Sequence, residues 1–422
     1  MQRSLSDWLA WQATLNPRDI DLGLERVRRV VDQLSLVRPE TGIITVGGTN
    51  GKGSTVSFIE CLCAANGLAT AVYTSPHLVR YNERMRLNGD EVSDEWLIEH
   101  FVAVDAARGE IPLTYFEFGT LAALHGFSQA RVDVWILEVG LGGRLDAVNV
   151  IDPDISVVTT VALEHQDWLG DTIDAIAAEK AGILRRDRPA FYGDELIPDG
   201  FTQKAKAIGA RLSCFGADFG YTQDQDNDLT WAWRGATTVL TDLPLPPLSD
   251  PAQMRNISLA LAAVEACAQG LLERSRVEQA LSAPCPPGRF QVIERDQQWI
   301  IDVAHNPQAA RVLRQRVLGL DNQGPMSVVI GLLDDKQVDA FVAQFTDVAE
   351  RWFICSIDTE RGRDAEELAA VISRLGGRNV TVAGTPEQAL GAAHAASVPG
   401  ELILVTGSFH IAGPALSWLG LY

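Results

Sequence analysis

The sequence predicts an α/β fold in two parts, a larger parallel-sheet domain with a small β-rich excursion and a smaller α/β domain after it. Three observations predict this fold. Short apolar runs alternate with helical periodicity over residues 43–161, the pattern of parallel strands joined by crossover helices. The composition changes over residues 191–250, which are rich in Gly, Asp, Thr and Trp, and this favours a β-rich excursion. The alternation of apolar strand-like runs and helices returns after residue 298.

The larger domain is predicted to contain four buried parallel strands. They are Ile43–Val46, Thr70–Tyr73, Val132–Val139 and Ile155–Val161. After the excursion, a helix is predicted at about Met254–Gln269. Ligands of open α/β sheets collect at the carboxyl ends of the strands, so the residues just past each strand are the first candidates for a functional site.

A stiff segment separates the two predicted domains. Residues 282–289 hold three prolines and a glycine, a composition typical of a linker. We therefore predict domains at residues 1–284 and 285–422. Four further buried strands indicate that the second domain is a smaller α/β domain of Rossmann-like type. They are Trp299–Val303, Ser327–Ile330, Trp352–Ser356 and Leu402–Val405.

Composition and charge argue against several classes of protein. The chain carries 35 Lys and Arg against 55 Asp and Glu, a net charge of −20, whereas a nucleic-acid binder needs a basic surface. No stretch approaches the roughly 20 apolar residues of a membrane span, and the first residues lack the apolar run of a signal peptide. The six cysteines form no CxxC pair, which fits a reducing compartment. We expect a cytoplasmic protein without nucleic-acid or membrane partners.

A glycine-rich loop follows the first predicted strand. Residues 47–55 read GGTNGKGST and precede an apolar helix. Glycines let successive backbone N–H groups point at one anion, and the helix N-terminus adds partial positive charge. Lys52 would neutralise phosphate charge. Because Val46 stands at the first glycine position of GxxxxGK[ST] and Gly53 follows the lysine, Ser54 must supply the metal-binding hydroxyl. We predict a P-loop ATPase domain, with an ordinary glycine-rich turn as the alternative.

Two polar residues lie near or just after the ends of other strands of the same predicted sheet. Glu138 lies near the end of an otherwise apolar strand, and Mg²⁺ prefers oxygen ligands with one or two protein carboxylates. Glu138 is therefore the candidate magnesium ligand. His165 follows the strand at 155–161. A lone histidine is more often a hydrogen-bonded structural residue than a ligand, but the neighbouring strand ends favour a functional role here.

Lys180 is unusual because it lies on the apolar face of a predicted helix. That face is defined by Ile173, Ile176, Ala177 and Leu184. Burying an ammonium group is costly, so the side chain either snorkels to solvent or has a lowered pKa. In the second case the neutral amine can take up CO₂ and become a carbamate anion, which could bind a second metal ion.

Polar residues also cluster further along the chain. Asn256 lies near the start of an alanine-rich helix, where it would either contact an adenine edge or serve in capping and packing. Arg289 lies in the linker and would reach an ATP phosphate when the two domains close. Asp302, His305 and Asn306 follow a predicted strand of the second domain, and clefts between domains are common ligand sites.

Nine short runs occur together along the chain. They are GTNGKGS (48–54), SPHLVRYNER (75–84), YFEFGTLAAL (115–124), EVGLGGRLDAVN (138–149), LEHQDWLG (163–170), EKAGI (179–183), PGRF (287–290), DVAHNP (302–307) and GSFH (407–410). On these runs the sequence resembles the Mur ligase superfamily and, within it, the folylpolyglutamate synthase and dihydrofolate synthase family, over nearly the whole chain. The loop of that family departs from the general phosphate-loop pattern in the same way.

The resemblance implies ATP-dependent amide formation between a pteroyl or folyl carboxylate and the amine of L-glutamate, through an acyl phosphate. It implies ATP and two Mg²⁺ ions as cofactors. The implied nucleotide contacts are Gly48, Thr49, Asn50, Gly51, Lys52, Gly53, Ser54, Thr55, Asn256, Arg289 and Asp302. The implied metal ligands are Ser54, Glu138, His165 and carbamylated Lys180, and the implied catalytic residues are Lys52, Glu138, His165 and Lys180.

The resemblance also implies contacts with the other substrates. The pterin site of bifunctional members matches Ile20–Arg26, Thr114, Phe116, Asp146 and Ala147, and the glutamate pocket matches His305 and Ser408. We therefore expect both activities in one monomeric polypeptide, with dihydropteroate, reduced folates and L-glutamate as substrates. The alternatives are a monofunctional folylpolyglutamate synthase, another Mur-type amino-acid ligase, and a nucleotide-gated binding protein without turnover.

Overall fold

The chain divides into two compact units, and each is described here by itself. The computed structural model describes residues 3–223, 229–267, 272–283, 285–320 and 324–422. Unit 1 comprises residues 1–76 and 81–284, and unit 2 comprises residues 77–80 and 285–422. Within the described ranges, no helix is both long and apolar enough to cross a lipid bilayer.

Unit 1 contains an eight-stranded sheet and a separate three-stranded sheet. The strands of the larger sheet are β1 (Gly42–Gly47), β2 (Thr70–Tyr73), β3 (Met85–Leu87), β4 (Asp90–Glu91), β5 (Val134–Glu138), β6 (Ile155–Val158), β7 (Pro189–Tyr192) and β8 (Arg211–Cys214). Those of the smaller sheet are β9 (Gly220–Gln223), β10 (Thr230–Arg234) and β11 (Val239–Pro244).

The helices of unit 1 cover both faces of the larger sheet. They are α1 (Leu5–Gln12), α2 (Glu25–Leu34), α3 (Lys52–Ala65), α4 (Asp94–Arg108), α5 (Tyr115–Gln129), α6 (Gln166–Leu169), α7 (Ile173–Lys180), α8 (Asp199–Ile208), α9 (Pro251–Cys267) and α10 (Arg274–Leu281). Short 3₁₀ helices lie at Tyr81–Arg84, Ala147–Val150 and Ala181–Ile183.

The central strand β1 is covered by helices on both faces of the larger sheet. The order of the larger sheet is β4-β3-β2-β5-β1-β6-β7-β8, and β1 pairs in parallel with β5 and β6. Ile44 and Val46 pack with side chains of α3 and α9, whereas Ile43 packs with those of α2, α4 and α5. Successive strand residues point to opposite faces, so a strand covered on both faces is apolar throughout.

The predicted parallel sheet is confirmed, but two features differ from the sequence-based expectation. At one edge, β3 pairs antiparallel with both β2 and β4. The region predicted as an excursion, residues 191–250, is only partly separate, because β7 and β8 extend the main sheet and α8 lies between them. α8 buries Phe201 and Ala205, a four-residue spacing that an analysis of composition misses. The helix predicted next begins at Pro251, and its predicted end at Gln269 lies outside the described residues.

Unit 2 contains one six-stranded sheet, in the order β12-β13-β17-β14-β15-β16. The strands are β12 (Gln291–Glu294), β13 (Gln298–Ile301), β14 (Met326–Ile330), β15 (Ala349–Cys355), β16 (Val380–Gly384) and β17 (Leu402–Thr406). The helices are α11 (Pro307–Leu318), α12 (Val338–Val342), α13 (Ala365–Arg374), α14 (Pro386–Ala396) and α15 (Phe409–Trp418). β12 pairs antiparallel with β13, and the other neighbours pair in parallel. A separate, smaller α/β unit is thus confirmed.

The short segment 77–80 packs within unit 2 although it is distant in sequence. A Cβ atom on Gly413 would lie 1.9 Å from the carbonyl oxygen of Leu78, so only a glycine allows this close approach of the two backbones. A Cβ atom on Gly288 would lie 3.3 Å from the Leu78 side chain. Leu78 also packs against the apolar cluster that contains Trp299.

Candidate active site

Helix α3 begins directly after the glycine-rich loop, at the carboxyl end of β1. Gly51 precedes it in a left-handed conformation (φ 88°), and no side chain in the described part of the chain caps this helix start. The first N–H groups of any helix lack intrahelical partners, so here they are available to an anion. The predicted phosphate loop therefore has the geometry of a phosphate cradle.

The loop is held against the end of β6. Gly48 has φ 138°, and a Cβ atom there would lie 1.9 Å from the hydroxyl of Thr159. The Thr159 hydroxyl donates to the carbonyl oxygen of Asn50 at 2.6 Å, and the Asn50 N–H donates to the hydroxyl of Thr160 at 3.2 Å. These contacts hold the loop in place without involving the N–H groups at the start of α3.

Lys52 and Asn256 both lie beside this loop. The Lys52 Nζ donates to the carbonyl oxygens of Gly48 at 3.1 Å and Thr49 at 3.2 Å, which keeps the ammonium group over the loop. A Cβ atom on Gly51 would lie 2.4 Å from Asn256 Oδ1. Two predicted nucleotide contacts from distant parts of the sequence thus meet at the start of α3.

Glu138 and Ser54 provide oxygen atoms at the same edge of the sheet. Glu138 ends β5 in register with Val46 of β1, and its buried carboxylate accepts a hydrogen bond from the Ser75 N–H at 3.2 Å. Ser54 is buried in the first turn of α3. This donor set fits Mg²⁺, which takes oxygen ligands and usually keeps water and substrate oxygens in its shell. Among the described residues, no three His, Cys, Asp or Glu side chains are grouped to hold a metal ion.

His165 adopts a backbone conformation that is uncommon outside glycine. Its φ is 51°, immediately before α6, and its Nε2 lies 3.7 Å from Glu164 Oε1. Positive φ in a non-glycine residue is often found at functional sites. The ligand role of His165 stays a prediction.

Lys180 ends α7 and is only 4% exposed. Its ammonium group therefore does not snorkel to solvent. Burial, and next the positive charge of Lys52, lower the pKa of Lys180 to about 7, against the opposing effect of Glu164 and Asp146. Near neutral pH a substantial share of Lys180 is thus the neutral amine. The same interactions show that Lys180 lies within electrostatic range of Lys52.

Thr114 and Glu117 form the start of α5. The Thr114 N–H donates to Glu117 Oε2 at 2.8 Å, and the Glu117 N–H donates to the Thr114 hydroxyl at 3.2 Å, a capping box. Glu117 also pairs with Arg26 at 2.9 Å, and Arg26 pairs with Asp21 at 2.8 Å. The segment predicted to contact the pterin, Ile20–Arg26, is therefore tied to the helix start that carries Thr114.

Phe116 lies against the loop that follows β5. A Cβ atom on Gly140 would lie 2.6 Å from the Phe116 ring, whose centroid is 6.1 Å from that of Tyr73. Ala147 is buried in the same apolar cluster as Tyr73, and Phe116 packs against that cluster. Phe116 and Ala147, both predicted substrate residues, thus border the same cluster.

Asp146 shapes the loop after β5, a role that the sequence did not indicate. Its two carboxylate oxygens accept hydrogen bonds from the N–H groups of Leu141 at 2.8 Å and Val148 at 2.9 Å. Burial raises the pKa of Asp146 to about 6, although hydrogen bonds from Leu141, Val148 and Gly140 act in the opposite direction.

Two further charged residues belong to this region and were not predicted as site residues. Glu164 precedes His165 and opposes the lowering of the Lys180 pKa. Arg84 is buried, with its guanidinium 5.1 Å from the Tyr81 ring centroid and 5.7 Å from that of Tyr115. Both residues lie inside the sequence runs that carry the resemblance, which was the available signal.

In unit 2, the remaining predicted residues lie where β13 and β17 end. Asp302 accepts hydrogen bonds from the N–H groups of Phe290 and Ala304, both at 2.8 Å. Its own N–H donates to Val405 of the neighbouring strand at 3.0 Å. Arg289 holds its guanidinium 5.2 Å from the ring centroid of Phe409.

His305 and Ser408 complete this second group. The His305 Nδ1 lies 2.9 Å from the carbonyl oxygen of Val303, and its ring centroid is 6.3 Å from that of Phe409. Ser408 precedes α15, where its buried hydroxyl accepts a hydrogen bond from the His410 N–H at 3.1 Å. Arg289 and His305 thus lie near the Phe409 ring, and Ser408 is the residue just before Phe409.

Two family models match the chain. Residues 46–230 match the Mur ligase middle domain, and residues 288–409 match the Mur ligase glutamate ligase domain. These two segments contain all predicted site residues except Asn256 and the run Ile20–Arg26.

Similarity to characterised proteins extends over the whole chain. The dihydrofolate synthase/folylpolyglutamate synthase of Escherichia coli is 41% identical over 406 residues, 96% of this chain and 93% of that protein. A solved structure of E. coli FolC in complex with DHPP and ADP superposes with a TM-score of 0.92 at 39% identity, covering 99% of this chain and 98% of that one. The bifunctional folylpolyglutamate synthase/dihydrofolate synthase of Yersinia pestis, complexed with AMPPNP and Mn ion, gives 0.90 at 38% identity with the same coverage.

Proposed function

We propose that this chain, which belongs to the dihydrofolate synthase/folylpolyglutamate synthase members of the Mur ligase family, joins L-glutamate to two kinds of acceptor. The acceptors are dihydropteroate, which gives dihydrofolate, and reduced folyl-glutamates, which give γ-linked polyglutamates. The whole-length similarity to bifunctional enzymes carries this conclusion.

The reaction brings two anions together, and the residues of unit 1 suit that task. The acceptor carboxylate attacks the γ-phosphate of ATP and ADP leaves. The amine of glutamate then attacks the resulting acyl phosphate and expels phosphate. Lys52 and the uncapped N-terminus of α3 supply positive charge where the phosphates lie, in a chain whose net charge is −20. The side chains we assign to this step include no Ser or Cys nucleophile.

Magnesium fits the oxygen-rich edge of the sheet. We assign Ser54 and Glu138 to one Mg²⁺, and Glu138, His165 and carbamylated Lys180 to a second. Bound there, the metal would neutralise charge on the phosphate oxygens. Lys180 supports the carbamate because its buried amine, with a pKa of about 7, can take up CO₂ and lose a proton near neutral pH. The negative carbamate would also reduce the unfavourable proximity of Lys180 and Lys52.

The other predicted contacts follow from the same family. Residues 48–55 and Asn256 in unit 1, with Arg289 and Asp302 in unit 2, are assigned to ATP. The pterin is assigned to Thr114, Phe116, Asp146 and Ala147, and glutamate to His305 and Ser408. Residues 1–284 would thus form the ATP-binding domain and residues 285–422 the glutamate-ligase domain. We further propose a cytoplasmic monomer, as expected from the sequence.

A paired substrate assay tests the proposal. Purified protein is incubated with ATP, Mg²⁺ and L-glutamate, together with either dihydropteroate or a reduced folate, and ADP release is measured. We expect ADP release with both acceptors, dependent on glutamate. Release with the reduced folate alone would indicate a monofunctional folylpolyglutamate synthase. Release with neither acceptor would contradict the proposal and favour another Mur-type ligase or a binding protein.

A further inference from the structure

Unit 1 contains a polar cavity at the amino ends of its parallel strands, opposite to the strand ends that carry the phosphate loop. The cavity has a volume of about 700 Å³ and is bordered by the residues just before β1, β6 and β7. The phosphate loop follows the carboxyl end of β1. A six-residue strand is roughly 20 Å long, so this cavity is separate from the candidate active site.

Four arginines border this cavity, which we call the arginine cavity. They are Arg38, Arg185, Arg186 and Arg188. Three acidic residues, Glu40, Asp152 and Asp154, also border it, so its charged side chains sum to +1. In a chain with a net charge of −20, this is a local reversal of sign. A guanidinium group presents a planar set of donors that matches carboxylate and phosphate oxygens.

Two of these arginines are held by contacts that an incoming anion need not break. Arg38 pairs with Asp154 at 2.8 Å, and Asp154 is itself anchored because it accepts a hydrogen bond from the Ile43 N–H at 3.0 Å. Arg185 donates to Asn149 Oδ1 at 2.9 Å. The guanidinium groups are therefore positioned before any ligand arrives, which lowers the entropic cost of binding.

Two further observations indicate that the cavity is open to an anion. Asp152 pairs with Arg185, but its side chain is 73% exposed, and exposed ion pairs of this kind contribute little free energy. Asp152 can therefore turn away when a ligand enters. Arg186 forms no ion pair with any carboxylate in the described part of the chain, so its charge is available.

We propose that the arginine cavity binds a small polyanion with closely spaced oxyanion groups, either phosphates or carboxylates, as a site distinct from the active site. The shared chemistry is the pairing of several guanidinium groups with adjacent oxyanions. Phosphate chains and γ-linked glutamate chains both have this character. The inference does not depend on the proposed function, because it concerns binding and not turnover.

Calorimetric titration of the full chain tests this proposal. The Lys52→Ala variant serves as the background, so that binding at the phosphate loop is weakened. One arm uses tripolyphosphate and the other uses γ-linked triglutamate. We expect one equivalent of at least one ligand to bind. Binding of tripolyphosphate alone assigns the site to phosphates, and binding of triglutamate alone assigns it to polycarboxylates. No saturable binding of either ligand would overturn the proposal.

Two substitutions and a matched control locate the binding. In the same background, Arg186→Ala should weaken binding at least 10-fold, whereas Arg29→Ala, which removes the same charge from an exposed position on α2, should change it less than 2-fold. Asp152→Asn should tighten binding about 3-fold, because it removes a competing carboxylate, and a folding defect would not produce tighter binding. Equal effects of Arg186→Ala and Arg29→Ala would show that the affinity is only a matter of net charge, and would overturn the proposal.

Discussion

The helix that follows the glycine-rich loop of unit 1 begins differently from two helices that follow strand ends in unit 2. In unit 1, α3 starts after Gly51 without a side-chain cap from the described residues. In unit 2, α11 and α15 start after Asn306 and Ser408, whose side chains accept hydrogen bonds from the N–H groups of Ala309 and His410. The first helix thus leaves its N–H groups to a ligand, whereas the other two satisfy part of theirs internally.

This difference indicates how each unit can bind an anion. Unit 1 can use backbone N–H groups together with one lysine, so glycine content and loop length matter more than side-chain identity. Unit 2 offers side chains such as Arg289 and His305, and its helices α11 and α15 have fewer unsatisfied N–H groups to offer. A glycine-rich loop is therefore one contiguous run of the sequence, whereas the candidate residues of unit 2 come from separate runs whose proximity only the fold determines. The following predictions test this contrast, from the largest expected effect to the smallest.

Loss of Lys52 should have the largest effect. Lys52→Ala removes the ammonium group held over the phosphate loop, and we expect kcat/KM to fall about 10³-fold. The fold should be retained, since the Lys52 side chain contacts only loop carbonyl oxygens in its hydrogen bonds. ADP release and circular dichroism measure the two outcomes. Lys206→Ala, an exposed lysine of α8, is the matched control, and a similar loss in both variants would remove the loop from the mechanism.

Replacing Lys180 should reduce activity about 100-fold, in line with the loss of a group that supports a metal site. Lys180→Met keeps the volume and removes the buried charge, so thermal stability should be unchanged or higher. Lys180→Ala leaves space, and short carboxylates such as acetate should partly restore its activity but not that of Lys180→Met. Full activity of Lys180→Met would contradict a carbamate role.

Two capped helix starts of unit 2, those of α11 and α15, should respond differently to loss of the cap. Ser408→Ala and Asn306→Ala should each lower the free energy of unfolding by about 1 kcal/mol, because each loses one cap. Only Ser408→Ala should also raise the KM for glutamate, by about 10-fold, as expected if a hydrogen bond to a charged ligand is lost. Steady-state kinetics at varied glutamate, beside urea unfolding, separates these effects. An unchanged KM in Ser408→Ala would leave Ser408 as a helix cap alone.

The smallest effect on activity is expected for α5, one of the capped helices of unit 1, where the prediction concerns stability alone. Its His125 lies with Nδ1 3.0 Å from Nδ1 of His100 on α4, and burial lowers the pKa of His100 to about 4 and also lowers that of His125. Well above pH 6.5, the two histidine side chains are neutral in the folded and in the unfolded chain. As the pH falls from 6.5 to 4, the unfolded chain gains protons that the folded chain does not, so stability falls.

Substitution of His100 should therefore reduce the acid sensitivity of the protein. When the pH falls from 7 to 4.5, the free energy of unfolding of His100→Gln should decrease by about 2 kcal/mol less than that of the unsubstituted protein. Urea unfolding at the two pH values measures this difference. The exposed His394 provides the control substitution, His394→Gln. If both variants keep the acid sensitivity of the unsubstituted protein, the buried histidine pair does not cause it.

Much of unit 1 was predictable because its signals are local. β1, β2, β6 and α3 have continuous apolar patterns, and the loop between β1 and α3 is one uninterrupted run of glycines and small polar residues. α8 was missed because its two buried residues, Phe201 and Ala205, stand in a polar stretch. The capping role of Thr114 and the loop-shaping role of Asp146 were missed because each depends on backbone N–H groups that a sequence pattern does not position.

The linear order of residues was enough to establish the α/β class, the phosphate loop and the family resemblance, since these depend on periodicity and on contiguous runs. Folding in three dimensions was needed to bring Lys180 within electrostatic range of Lys52 and to bury it so that its pKa falls to about 7. Folding also assembled the arginine cavity from three separate segments of the chain. Burial and electrostatic interaction depend on distances in space, and those distances are set by how the sheet and its helices pack.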